Sequence, residues 1–97
     1  MMLHFEWDER KNRANQKKHG VDFETAQLVF DDPSCVTFVE RVADGEPRWH
    51  AIGSVENLII LVVAHTYRDE PDRESIRIIS ARPASSSERR IYAEAAR

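Results

Sequence analysis

The order of predicted elements, β-α-α-β-β-β-β-α, makes this an α+β chain: an antiparallel β-sheet packed by two N-terminal helices and one C-terminal helix. Three observations carry that reading. Helical patterning is confined to residues 9–30 and to the segment after Ser85. The residues between read as β-branched or alternating runs, which suit strands. Short turn clusters separate the last four strands, which suits antiparallel hairpins, with helices on one face of the sheet. At 97 residues the chain is a single domain, 1–97.

Leu3, Phe5 and Trp7 alternate with His4 and Glu6 and predict a short first strand. Asp8 follows as an N-cap, with Glu9 in the first helical turn. The first helix spans about Glu9 to Lys18, and Gly20 closes it. Ala14 is its only apolar residue, and five Lys or Arg lie between Arg10 and His19 with no acid. Two readings stand for this face: a solvated surface, or a basic face put to use, because a helix without an apolar stripe has little to hold it.

Asp22 caps a second helix, Phe23 to Phe30, whose Phe23, Ala26, Val29 and Phe30 make a core stripe ended by Asp31-Asp32-Pro33. Strands are predicted over Cys35–Val42 and Arg48–Gly53, parted by the turn cluster Ala43–Pro47, with Trp49 as a core anchor. After Ser54–Asn57 comes Leu58–Tyr67, whose continuous apolar run marks the centre of the sheet. Arg68–Glu74 reads as a long charged hairpin loop. Ile76–Pro83 is the last strand, stopped by Pro83. Ser85-x-x-Glu88 is a capping box that opens the last helix at about Ser86.

Several chemistries are excluded. Cys35 is the only cysteine, so the chain forms no internal disulfide and no Cys-based metal site, as suits a reducing compartment. His4, His19, His50 and His65 are scattered, so no metal or other cofactor is expected. Three glycines make no phosphate loop, and no nucleophile elbow is present. The N-terminus carries no signal-peptide pattern, and the longest apolar run, Leu58 to Ala64, is too short to span a bilayer. A soluble cytoplasmic protein follows, with no membrane contact.

What remains is a cationic and aromatic set on a chain of net charge −3: Lys11, Lys18, His19, Arg68, Arg77, Arg82 and Tyr92. A guanidinium inside a buried-looking strand needs an acidic partner or an anion. Arg77 and Arg82 are an odd number of residues apart, so a regular strand sends them to opposite faces unless a bulge intervenes. Arg82 has a second reading, as ion-pair partner of Glu88. The set suits an anionic ligand such as RNA.

The sequence also resembles the BrnT family of toxins. The residues that carry the resemblance are Phe5-Glu6-Trp7-Asp8-x-x-Lys11, Asn15-x-x-Lys18-His19-Gly20-Val21-x-Phe23 and Ala26-x-x-Val29-Phe30-x-Asp32-Pro33. Further on they are Ile52-Gly53, Thr66-x-Arg68 and Ile76-Arg77-Ile78-Ile79-Ser80-Ala81-Arg82-x-Ala84-x-x-x-Glu88-x-x-x-Tyr92. The resemblance implies a RelE-like fold and the toxin half of a type II toxin–antitoxin pair. It implies an endoribonuclease that cuts RNA and inhibits translation. A DNA-binding antitoxin, BrnA, would neutralise it, and operator DNA would be met only through that complex.

Metal-free RNA cleavage needs a base for the 2′-OH, cations for the phosphorane and an acid for the leaving 5′ oxygen. Arg77 and Arg82 are candidates for charge stabilisation. Lys11 is a candidate base or phosphate clamp, and Lys18 and Arg68 are candidate RNA contacts. His19 is a candidate acid or base, with helix capping as its other reading. Tyr92 is a candidate for stacking or proton donation, with core packing as its other reading. The rival to catalysis is a non-catalytic binding module that docks an acidic protein partner.

Overall fold

The computed structural model describes residues 3–71 and 73–96. Its elements are β1 (Leu3–Glu6), α1 (Glu9–His19), α2 (Phe23–Ala26), β2 (Val36–Ala43), β3 (Glu46–Val55), β4 (Ile59–Glu70), β5 (Arg73–Pro83) and α3 (Ser86–Ala95). The second predicted helix is therefore one α turn that tightens into a 3₁₀ helix, Gln27–Asp31.

The strands form one sheet in the order β1-β5-β4-β3-β2. Strands β2 to β5 pair antiparallel, but β1 pairs parallel with β5. The sheet is mixed, which corrects the all-antiparallel expectation. No hairpin ties β1 to its neighbour, so turn geometry does not dictate its direction. The β2–β3 loop is the two-residue turn Asp44-Gly45, both residues in left-handed conformation, as such a hairpin turn demands; the β3–β4 loop has three residues, 56–58, with Glu56 and Asn57 left-handed. The predicted loop over Arg68–Glu74 is mostly strand: Arg68 pairs with Ser75, and the ladder runs on to Glu70 and Arg73.

The helices do not share a face, a second correction. Phe23, Ala26 and Val29 pack on Ala51, Leu61, Val63, Ile76 and Ile78. Strand alternation puts Ile52 and Val62 on the other face, where Ala84, just before α3, and Tyr92, within it, cover them. The far end of that second face carries no helix among the described residues, and we call it the open face.

What holds α1 is not apolar. Asn12 and Asn15 are buried. Asn15 accepts from the Ala81 N–H and donates to the carbonyls of Ala81 and Val21, while Asn12 accepts from the Phe23 N–H. Strand β1 stops opposite Arg77, and beyond it Asn15 continues the hydrogen bonding along the bare edge of β5. The basic residues of α1 are thus its solvent side, and the absence of an apolar stripe is explained by this amide seam.

Candidate active site on the open sheet face

Two β-bulges shape the open face. In β5 the register shifts so that Ala64 pairs Ser80 while His65 pairs Ile78, leaving Ile79 as the extra residue. In β2 it shifts between Val39 and Arg41, with Glu40 extra. The first bulge answers the parity problem. Arg82 lies opposite Val62 and Arg77 opposite Thr66; positions 62 and 66 share one side of β4, so both arginines face the open side.

Three rows cross this face. Nearest α3 is Val36–Ile52–Val62–Arg82. Next is Phe38–His50–Ala64–Ser80. The outer row pairs Arg41 with Arg48 on one side and Thr66, Arg77 and Glu6 on the other. Arg48 and Thr66 are the next positions beyond the Trp49–His65 pair, which aligns the two halves.

The predicted residues fall into three groups. Arg68 and Arg77 meet over Glu6, at 3.5 Å and 4.0 Å from its carboxylate oxygens. Glu6 Oε1 is buried yet accepts no hydrogen bond among the described residues. These are loose ion pairs, and both guanidiniums keep donors to offer.

Arg82 and Tyr92 are engaged within the protein. Arg82 grips Glu88 through two bonds of 2.7 Å and 2.8 Å. That hydrogen-bonded guanidinium, with help from Ser85, holds the Glu88 carboxyl down at about 2. The same Glu88 closes the capping box with Ser85. Tyr92 donates its hydroxyl proton to Asp32 at 2.7 Å, which raises the phenol above its ordinary value. Burial pushes Asp32 up, but donors from Ser54, Tyr92 and Ser34 outweigh it and hold the carboxyl down. Asp32 sits where β2 leaves the edge of β3 open beyond Ile52, so it ties the 3₁₀ segment, β3 and α3 together.

The third group lies on α1. Lys11 and Lys18 are exposed, and His19 is half-buried at the helix end, where Gly20 in left-handed conformation supplies the cap. The structure therefore gathers Arg68, Arg77 and Arg82 on one sheet face and leaves the α1 cations on a flanking helix. Arg48 and His50 were missed by sequence reasoning. Alternation in β3 held the signal: with Trp49 inward, Arg48 and His50 must share the opposite face. Among the described residues no group of three or more His, Cys, Asp or Glu is arranged to hold a metal ion. No helix among them is long and apolar enough to cross a membrane.

The sequence matches, over residues 7–88, the family described as "Ribonuclease toxin, BrnT, of type II toxin-antitoxin system". The fold is similar to the crystal structure of the Brucella abortus ribonuclease toxin, BrnT, with a TM-score of 0.63 at 32% identity; the match covers 89% of this chain and 100% of that one. Comparison with curated proteins found no match.

Proposed function

The chain belongs to the BrnT family of ribonuclease toxins of type II toxin–antitoxin systems, and from that premise we propose that it is a metal-independent endoribonuclease. In this reading it acts in the cytoplasm, cleaves RNA, inhibits translation and is neutralised by a BrnA-like DNA-binding antitoxin, through which alone it meets operator DNA. Kinship of fold with the RelE ribonucleases belongs to the same proposal.

The observation that carries the reading is the bulge at Ile79. It turns Arg77 to the face that holds Arg41 and Arg48, so guanidiniums line a track across the sheet. A guanidinium fork matches phosphate oxygens, and a row of them suits a polyanion better than a single acidic side chain. RNA lies along this row. Arg77 and Arg68, held loosely by Glu6, exchange that carboxylate for phosphate. Lys11 and Lys18 guide the strand where it passes α1, with His19 beside them. Arg82 and Tyr92 act as positioning residues that seat α3.

The test is direct. Purified protein incubated with RNA in EDTA should cleave it. Arg77→Ala should lower the rate by about 10²–10³-fold without lowering the melting temperature, and should relieve growth arrest on expression. Intact RNA, together with tight binding to the product of a neighbouring gene, would instead favour the non-catalytic binding module. Full toxicity of Arg77→Ala would remove that arginine from the site.

A further inference from the structure

Beside the outer row lies a groove of about 230 Å³ bordered by both bulges: Glu40 and Arg41 on one wall, Ile79 and Ser80 on the other. Ala64 forms its floor, and Arg48 and His50 rise from β3 between them. The bulges make this set possible. In an unbroken β2 only one of Glu40 and Arg41 could face the groove, because neighbours alternate. The extra residue lets both face it, and their side chains meet at 3.4 Å. Arg48 Nε is buried there with no hydrogen-bond partner among the described residues. The His50 ring stands edge-on to Phe38, with centroids 5.8 Å apart.

We propose that this groove is the cleavage centre, in which Glu40 and His50 are the proton-transfer pair and Arg48 holds the scissile phosphate. The proposal rests on the ribonuclease reading above and deepens it by naming the reacting groups. Cleavage of RNA by its own 2′-OH requires a base, a cation and an acid around one phosphate. The groove brings one of each together. The other proton carriers are less well placed: Tyr92 already gives its proton to Asp32, and His19 sits at the end of α1.

Glu40 takes the proton from the 2′-OH as the 2′ oxygen bonds to phosphorus. Arg48 offsets the charge that builds on the phosphorane. The P–O5′ bond breaks, and the His50 imidazolium gives its proton to the 5′ oxygen. The products are a 2′,3′-cyclic phosphate and a free 5′-OH. Glu40 ends protonated and His50 neutral, and proton exchange with water restores both.

The experiment uses an RNA that the wild-type protein cleaves, and a matched RNA whose leaving 5′ oxygen at the cleaved bond is replaced by sulfur. A thiolate departs without a proton and has no need of the acid. His50→Ala, His50→Gln and Glu40→Gln should each slow cleavage of the ordinary RNA by about 10²–10⁴-fold, with melting temperatures and RNA binding retained. On the sulfur substrate both His50 variants should recover the wild-type rate, while Glu40→Gln stays slow. A folded His50→Gln within threefold of wild type overturns the proposal, and so does a failure of sulfur to rescue it. If either occurs while wild-type protein still cleaves RNA in EDTA, the ribonuclease reading stands and only the assignment of the groove falls. Wild-type protein that leaves RNA intact overturns both.

Discussion

Single residues fix where the two faces of this sheet can be approached, and Gly53 shows how tightly. A Cβ built on it would lie 2.7 Å from Val29 Cγ1 and 3.0 Å from the Val29 carbonyl oxygen. The carbonyl belongs to the 3₁₀ segment and cannot swing aside as a side-chain tip can. Gly53→Ala should therefore destabilise by about 1–3 kcal/mol, as overpacking does, read as a drop of several degrees in melting temperature. An unchanged melting temperature would mean that the segment lifts off freely. In the sequence Gly53 reads as a strand end, because glycine is permissive and nothing local tells close approach from termination. Arg77 and Arg82 had the opposite fate. Their parity conflict was legible, but its resolution was not, since a bulge exists only relative to a partner strand's register.

At the scale of elements, local chemistry was legible and pairing was not. The caps were readable from residue type alone: Asp8 accepts from the N–H groups of Arg10 and Lys11, Asp22 from Thr25, and Ser85 and Glu88 complete their box. The parallel entry of β1 and the split of the helices between two faces depend on contacts distant in sequence. So does the seating of α1. Its asparagines look like ordinary surface residues until Ala81, 66 positions away, is seen to lack a neighbouring strand. Asn15→Leu would leave the Ala81 N–H and the carbonyls of Ala81 and Val21 without this partner, at a cost of about 1–3 kcal/mol for each group left unsatisfied. Hydrogen exchange should then show α1 opening well before the sheet. Equal protection of α1 in the variant and the wild type would mean that the amide seam does not hold the helix.

At the scale of the whole molecule, the sheet divides a dry side from a charged one, and acid should probe the two in separate ranges. On the dry side His65 is fully buried between the rings of Phe30 and Tyr67. Burial drives its value down to about 4, against the Val63 carbonyl at Nδ1 and with the charge of His50 acting in the same direction as burial. The unfolded chain takes up that proton near the ordinary 6.5, so unfolding gains a proton between those values. Stability should fall as pH drops from about 6.5 to 4, by up to roughly 3 kcal/mol for so large a shift. On the charged side Glu88 sits at about 2 rather than 4.5. A carboxyl lowered on folding contributes fully above its unfolded value and loses that contribution as pH falls through its folded one. With Arg82 more than a third exposed, the pair adds only on the order of 1 kcal/mol, lost between about pH 4.5 and 2 as α3 loosens from the sheet. Urea midpoints taken from pH 8 to 2 should therefore decline in two stages. His65→Gln, weaker at neutral pH, should flatten the upper stage and keep the lower one, and Glu88→Gln should do the reverse. If His65→Gln keeps the upper slope, burial of that imidazole is not what makes the protein sensitive to acid in this range.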